Sequence, residues 1–419
     1  MHYQLNDLSS KTGAELATIF AGLSARLTSL DLRNNILGRK TDAELATAFG
    51  ALPAGLNSLN LRFNFLYIKT GAELATVFRA IAAGVKSLTL HGNGLYYKTG
   101  AELATAFRDL PGVTLLNLSN NKLGNKSGAE LATAFRGLRA GLTSLDLSDN
   151  GLYKKTAELA TAFAGLPAGL TALDLSFNSL GLKTAAELAT AFEALPAGLT
   201  SLNLSRNYLG RKTGAELTTV FRVLAAGLAA LDLCNNNIGS KTGAELSTAF
   251  RALPAGLTSL DLSANSLFNK TGAELATAFR ALPAGLTSLA LRGNGLGRKT
   301  GAELATTLAA IPTQVTSVDL SSNGLDNKTE QEWIQILSTI PGTVTNINCD
   351  GVGQETMTRI LQQVRMQALR DINESAMLPL DVSGLAMLYI SDEAPTFWSK
   401  AIAPLTTASP SELNTVIVR

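Results

Sequence analysis

One asparagine recurs along most of the chain at a nearly constant interval, and this repeat restricts the fold more than any other feature. The interval is about 29 residues, a length that accommodates one strand, one helix and two turns. The recurring residues are Asn6, Asn35, Asn64, Asn93, Asn121, Asn150, Asn178, Asn207, Asn236, Asn265, Asn294 and Asn323. Such a chain stacks similar units, because one unit alone cannot bury its own apolar side chains.

A typical unit contains a short strand followed by a helix. Leu260 and Leu262 lie two residues apart, so both point to the core side of a strand, whereas Asp261 points away from it. Thr271 and Glu274 have the spacing of a capping box, Thr-x-x-Glu, which begins a helix. Leucine and phenylalanine then recur on one helix face, and a Pro-Ala-Gly turn ends the unit.

This pattern resembles the ribonuclease-inhibitor-like class of leucine-rich repeats, which read Leu-x-x-Leu-x-Leu-x-x-Asn-x-Leu before a helix. The resemblance implies an α/β leucine-rich-repeat solenoid of horseshoe shape. A parallel β-sheet would line its concave face and the helices its convex face. The near-identical units and the small C-terminal tail also resemble leucine-rich-repeat effectors that intracellular bacterial pathogens of the Legionella type inject into host cells.

The repeat pattern predicts two regions. Residues 1–350 form the array of repeats, and residues 351–419 form a C-terminal capping segment with an irregular tail. The capping segment includes a predicted amphipathic helix with apolar residues Met357, Ile360, Leu361 and Val364. A secretion signal within Ser409 to Arg419 is an alternative role for the end of the tail.

Composition argues against an enzyme and against a metal site. The net charge is only +2, so the chain generates no strong field that attracts nucleic acid. The only histidines are His2 and His91, and the only cysteines, Cys234 and Cys349, lie in no catalytic motif. Cys234 replaces a small residue after a strand, whereas Cys349 occupies a core-leucine position and is predicted to be a buried thiol. We expect no cofactor and no catalytic residues.

The sequence also restricts the location of the chain. Its first residues lack the basic and then apolar pattern of a secretory signal, and no apolar stretch is long enough to span a bilayer. We therefore expect a cytosolic environment without membrane insertion. The resemblance to bacterial effectors implies secretion into the host cell cytoplasm without a conventional signal peptide.

A lysine precedes nearly every helix cap. One interpretation is a basic edge for phosphates or acidic partners, and the other is a solubilising ladder whose charges are offset by the capping glutamates. The residues are Lys40, Lys69, Lys98, Lys126, Lys155, Lys183, Lys212, Lys241, Lys270, Lys299 and Lys328.

The outward position of the strands carries an acidic or amide side chain in most units. This stripe could receive a basic segment of a partner, or it could simply have been copied during duplication of the unit. Its residues are Asp31, Asp146, Asp174, Asp232, Asp261 and Asp319, with Asn60, Asn117 and Asn203 between them.

Departures from the repeat concentrate in the N-terminal third of the chain. Exposed aromatic and arginine side chains are typical of binding hot spots, although such rings could also pack into local turns. Equivalent positions of adjacent units lie about 5 Å apart in a stacked array, so Tyr67 should approach Tyr96, and Arg62 should approach His91. The predicted partner-binding residues are Arg33, Arg62, Phe63, Phe65, Tyr67, His91, Tyr96, Tyr97 and Tyr153.

These features predict a protein-binding module that acts on a host protein and not on nucleic acid. The alternative is a regulator of a partner enzyme, either an inhibitor or a GTPase-activating type of scaffold, and a true enzyme ranks third. The pattern does not indicate the oligomeric state of the protein.

Overall fold

The computed structural model describes residues 1–154, 158–350, 359–360, 362–364 and 366–367. The chain divides into two compact units, which consist of Met1–Asn237 with Ala252–Leu257 and of Ile238–Arg251 with Thr258–Arg419. Both units repeat the order strand, 3-10 turn and helix.

In the first unit, nine short strands pair in parallel and in chain order. The strands are β1 (His2–Gln4), β2 (Ser29–Asp31), β3 (Ser58–Asn60), β4 (Ser87–Thr89), β5 (Leu115–Asn117), β6 (Ser144–Asp146), β7 (Ala172–Asp174), β8 (Ser201–Asn203) and β9 (Ala230–Asp232). The 3-10 turns are Leu8–Ser10, Leu37–Arg39, Leu66–Ile68, Leu95–Tyr97, Leu123–Asn125, Leu152–Lys154, Leu180–Leu182 and Leu209–Arg211. The helices are α1 (Gly13–Ala21), α2 (Asp42–Gly50), α3 (Gly71–Arg79), α4 (Gly100–Arg108), α5 (Gly128–Arg136), α6 (Leu159–Phe163), α7 (Ala185–Glu193) and α8 (Gly214–Arg222).

The second unit has the same organisation. Its strands are β10 (Ser259–Asp261), β11 (Ser288–Ala290), β12 (Ser317–Asp319) and β13 (Asn346–Asn348), and they also pair in parallel and in chain order. The 3-10 turns are Ile238–Ser240, Leu267–Asn269, Leu296–Arg298 and Leu325–Asn327. The helices are α9 (Gly243–Arg251), α10 (Gly272–Phe279), α11 (Gly301–Leu308) and α12 (Glu330–Leu337). The predicted parallel sheet and repeating strand–helix units are confirmed.

The core lies between the strands and the helices. From β2 onward, the central residue of each strand is a buried apolar side chain, as Leu30, Leu59 and Leu88 show in register, whereas Tyr3 of β1 is 48% exposed. From the helix side, leucine and phenylalanine of α1 to α10, such as Leu103 and Phe107, are buried in this core. Helices α11 and α12 bury Leu308 and Trp333 instead of a phenylalanine. The alternation in the strand and the helical spacing therefore bury their apolar faces against each other.

From Asn35 onward, the recurring asparagines form a buried ladder that joins each repeat to the one before it. Asn121 donates from Nδ2 to the carbonyl oxygens of Leu90, at 3.0 Å, and of Leu118, at 2.9 Å. Its Oδ1 accepts the backbone N–H groups of Asn93, at 3.0 Å, and of Leu95, at 3.2 Å. Because the turning backbone has no strand partner there, the amide satisfies groups that burial would otherwise leave unpaired.

The capping glutamates form a second set of links between repeats. Glu102 accepts the Thr99 N–H at 2.8 Å, as a capping box requires, and its other oxygen accepts the Gly71 N–H of the preceding repeat at 3.2 Å. A Cβ atom at Gly71 would lie 2.6 Å from the Cβ of Glu102, which explains the glycine. Helix α6 departs from this pattern, because its N-cap Glu158 makes no side-chain capping bond.

Five of the ladder lysines within the described part of the chain are buried, so the interpretation of the ladder as an exposed basic edge is wrong for those five. The glutamates do offset part of the charge, since Lys69 and Lys270 each lie 3.8 Å from the glutamate four residues later. The ammonium group of Lys126 donates to the backbone carbonyls of Tyr96, at 3.0 Å, and of Lys98, and lies 3.9 Å from Glu130. Burial lowers its pKa. The buried members of the ladder are Lys69, Lys126, Lys183, Lys212 and Lys299. Among them, Lys126, Lys183 and Lys299 donate to backbone carbonyls of the preceding repeat, so these three hold adjacent repeats together.

Only part of the predicted C-terminal helix lies within the described residues. Residues 359–360, 362–364 and 366–367 are helical, and Ile360 is buried as predicted. Arg359 forms an ion pair with Glu330 at 3.0 Å. Met357, Leu361 and the segment from Ser409 to Arg419 lie outside the described residues, so the capping role stays a prediction. None of the helices in the described part of the chain has the length and apolarity of a membrane span.

We expect Lys126→Met to lower the free energy of unfolding by about 1–3 kcal/mol, since the methionine would leave two part-buried carbonyl groups without their donor. Lys154→Met is the control, because Lys154 is exposed and donates only to Asn125 at 3.0 Å. It should change stability by no more than about 0.5 kcal/mol. Urea denaturation of both variants measures the difference, and equal losses would contradict a buried role for the lysine.

Acid should destabilise the fold through the capping glutamates. Backbone hydrogen bonds lower the pKa values of Glu73, Glu102 and Glu187 below the ordinary 4.5. Folded glutamates therefore bind protons more weakly than unfolded ones, so their stabilisation is present above pH 4.5 and is lost as pH falls through the lowered pKa values. The melting temperature should fall between pH 5 and about pH 3. A triple variant with glutamine at these positions should show a smaller fall. An unchanged pH dependence would contradict this assignment.

Candidate functional site

The side chains of the acidic stripe along the strands accept hydrogen bonds from groups of the protein itself. Asp146 accepts the Ser148 N–H at 2.8 Å, and Asn117 donates to its second oxygen at 2.5 Å. Burial raises the pKa of Asp174, which accepts the Ser176 N–H. The same bond to the backbone two residues later is made by Asp31, Asn60, Asn117, Asn203, Asp232, Asp261 and Asp319. The stripe thus has a local structural role, since it caps the turn after each strand.

The thiol of Cys349 lacks the lowered pKa of a catalytic nucleophile. Both Cys234 and Cys349 are half-buried, so Cys349 is less buried than its core-leucine position predicts. Burial, with a smaller contribution from Asp350, raises the pKa of Cys349 to about 11. The thiol is therefore protonated at neutral pH and is a poor nucleophile.

Three of the predicted binding residues, Arg62, Phe63 and His91, contact one another in sequence, and we call them the Arg62 group. The guanidinium of Arg62 lies 4.7 Å from the centre of the Phe63 ring, and the Phe63 ring meets His91 edge-on at 5.0 Å. His91 Nδ1 lies 2.7 Å from the Ser119 hydroxyl oxygen. Burial, assisted by the charge of Arg62, lowers the pKa of His91, so this imidazole is neutral at pH 7.

Four further predicted residues form the aromatic cluster: Phe65, Tyr67, Tyr96 and Tyr97. Ring centres lie 6.1 Å apart between Phe65 and Tyr67, 5.1 Å between Tyr67 and Tyr97, and 4.0 Å between Tyr97 and Tyr96. Lys122 places its ammonium 5.5 Å from the Tyr96 ring centre. A side-chain hydrogen bond with Tyr97 is the largest of the causes that raise the pKa of Tyr96. The four rings therefore form one continuous surface across two repeats.

The rings differ in how far they serve local packing. Tyr67 lies over Gly94, where an added Cβ would come within 3.0 Å of its ring, and Phe63 packs in the same way on Gly92. In contrast, Tyr97 is 61% exposed and Phe65 is 43% exposed. Packing against the next turn therefore accounts in part for the rings of Tyr67 and Phe63, whereas the rings of Tyr97 and Phe65 are available to a partner.

The backbone of this region is strained by its aromatic residues. Phe63 and Phe65 adopt left-handed φ angles of 54° and 58°, and the equivalent residues of the next repeat are Gly92 and Gly94. Bulky side chains rarely occupy this conformation, which costs about 1–2 kcal/mol per residue relative to glycine. Strain of this kind is often retained at functional sites.

Two predicted residues stand apart from both groups. Arg33 forms an ion pair with Asp31 at 3.2 Å and donates to Gln4 at 3.0 Å. Among the described residues, Tyr153 has no ring contact with the aromatic cluster, and its carbonyl accepts from Lys183 at 3.3 Å. The two pairs expected from the repeat do interact, since the charge of Arg62 helps to lower the pKa of His91 and Tyr67 is among the causes that raise the pKa of Tyr96. The direct ring contacts lie one residue away, between Tyr67 and Tyr97 and between Phe63 and His91.

Sequence reasoning missed two members of this surface, Ile68 and Lys122. Ile68 follows Tyr67 and is 47% exposed. Lys122 follows a ladder asparagine with a left-handed φ of 55°, at a position where other repeats carry mostly small, apolar or amide side chains. The charge at that position was the signal that could have identified it.

No family model matches the sequence, and no curated protein is significantly similar to it. A solved structure of the leucine-rich repeat-containing protein LegL7 from Legionella pneumophila is similar, with a TM-score of 0.55 and 28% sequence identity. The similarity covers 87% of this chain and 97% of that one.

The chain is a leucine-rich-repeat protein. Its buried asparagine ladder and parallel strands agree with that assignment. The yeast Rad7 and Elc1 complex is also similar, with a TM-score of 0.41 and 17% identity over 70% of this chain and 76% of that one. Leucine-rich repeats are typically binding scaffolds and not catalysts.

Replacing Phe65 by glycine should relieve backbone strain at the expense of one exposed ring contact. We expect Phe65→Gly to leave the free energy of unfolding unchanged or to raise it by up to about 1 kcal/mol. Leu66→Ala, which truncates the buried neighbour, should lower it by roughly 2–5 kcal/mol. Denaturation in urea measures both, and a comparable loss for Phe65→Gly would show that the ring is needed for folding.

Proposed function

We propose that this leucine-rich-repeat protein binds a host protein through the aromatic cluster and the adjoining Arg62 group. In this proposal the chain is an effector that a bacterium delivers into the host cell cytoplasm, and it has no catalytic activity of its own. Binding alone would suffice to recruit the partner or to inhibit it.

Two rings of the aromatic cluster, Phe65 and Tyr97, are exposed, and the proposal rests on this pair. The rings lie on turns held rigidly by the asparagine ladder, so they lose little conformational freedom on binding. Aromatic and arginine side chains at one surface are characteristic of binding hot spots.

The bacterial effector role rests on the repeat style and on the similarity to the L. pneumophila protein LegL7. A host partner is the natural target of such an effector. Delivery can be tested separately from binding, with a fusion of the full chain to a calmodulin-dependent adenylate cyclase, expressed in an infecting bacterium. Cyclic AMP in the host cells would support delivery, and its absence would contradict it.

We expect the double variant Phe65→Ala, Tyr97→Ala to lose binding to a host protein that the unmodified chain captures. Truncating hot-spot rings should weaken the affinity about thirty-fold or more, with almost no change in melting temperature. Affinity is measured with the purified partner by isothermal titration calorimetry.

The matched control is Tyr208→Ala. Tyr208 occupies the position of Phe65 in a later repeat, has a left-handed φ of 59° and is 55% exposed. Its removal should leave the affinity unchanged if binding is confined to the aromatic cluster. Equal affinities for the double variant and the unmodified chain would place the interface elsewhere and reject the proposal.

A further inference from the structure

A shallow recess opens beside the aromatic cluster and shares Tyr96 with it. Its volume is about 350 Å³. The residues that line it are Tyr96, Asn120, Lys122, Asn125, Asp149, Asn150, Gly151 and Lys154. All of them come from three consecutive repeats of the first unit, in which the turns after the strands lie side by side.

The charged groups of the recess are mainly positive. Lys122 and Lys154 are both exposed, and each contributes an ammonium group, whereas Asp149 contributes one carboxylate. Lys154 is held by Asn125, at 3.0 Å, and Lys122 is held over the Tyr96 ring. Two oriented donors with a net positive charge are complementary to a carboxylate. These lysines differ from the buried ladder, whose ammonium groups are occupied by backbone carbonyls.

The recess and the aromatic cluster share Tyr96. Its ring forms one wall of the recess, and it contacts Tyr97 at 4.0 Å. An apolar surface at Tyr97 and Phe65 therefore continues into a cationic recess without an intervening barrier. A ligand that fits both has an acidic group close to an apolar side chain.

We propose that the recess receives an aspartate or glutamate side chain from the bound protein, placed between Lys122 and Lys154. An aromatic or aliphatic residue next to that carboxylate packs on Tyr97. This inference rests on the proposed function and specifies its partner: a protein with an exposed acidic segment that also carries apolar residues. The lysines set specificity and orientation, while the rings supply most of the buried area.

The test is selection of short random peptides, displayed on phage, against the full chain. Enriched peptides should combine acidic with aromatic or aliphatic residues. One enriched peptide is then labelled with fluorescein, and its affinity is measured by fluorescence anisotropy. The double variant Lys122→Glu, Lys154→Glu should weaken binding about tenfold or more, because it replaces both donors by repelling charges.

Two further variants separate the charge effect from other causes. The control is the double variant Arg206→Glu, Arg211→Glu, which changes the total charge by the same amount on later repeats. Arg206 lies over the Phe177 ring, and Arg211 occupies the position equivalent to Lys154. This control should leave the peptide affinity unchanged. The neutral pair Lys122→Asn, Lys154→Gln should also weaken binding, and asparagine tolerates the left-handed φ of position 122.

Three results would overturn the inference. They are enriched peptides without an acidic preference, equal effects of the two charge-reversal variants, and tight binding of oligothymidylate that displaces the peptide. Loss of partner binding in Phe65→Ala, Tyr97→Ala, with full binding in Lys122→Glu, Lys154→Glu, would reject the acidic segment and keep the proposed function. Partner binding that survives both sets of variants would reject the proposed site itself.

Discussion

The asparagine ladder is the interaction on which the rest of the structure depends. Each buried amide accepts two backbone N–H groups of the preceding repeat and donates to carbonyls on both sides, as Asn121 does between Leu90 and Leu118. Replacing the amide would leave several buried polar groups unpaired at once. The ladder also sets the turn after each strand, and the candidate binding residues lie on those turns.

Two further ladders use charged side chains for the same purpose. Glu102 joins its own helix cap to Gly71 of the preceding repeat, and Lys126 joins its repeat to the carbonyls of Tyr96 and Lys98. Most of these charges are satisfied by backbone groups next to them, so they contribute little to recognition. This separates the structural lysines from Lys122 and Lys154, which are exposed at the recess.

The candidate site arises where the repeat is locally broken. Aromatic residues at Phe63 and Phe65 adopt left-handed backbone angles at positions that glycine takes in the following repeat. The hydrogen bonds of the ladder keep the backbone of the turn in one conformation. The turn can therefore contain a residue with a strained φ angle that an isolated loop would not retain. Rings on a rigid turn are preorganised for contact, which reduces the entropy lost on binding.

Local spacing in the sequence was enough to predict the period, the strand and helix of each unit, the capping boxes and the face of each element that is buried. The same comparison of units identified Tyr67, Tyr96 and Tyr97 as a departure from the repeat. The burial of five ladder lysines could not be predicted in this way, since the carbonyl partners of Lys126, Lys183 and Lys299 lie in the preceding repeat. The local spacing also does not show that the Tyr67 ring contacts Tyr97, or that Lys122 lies over the Tyr96 ring. Side-chain direction across a stack depends on the backbone angles and neighbours of both repeats, and the period of one chain does not specify it.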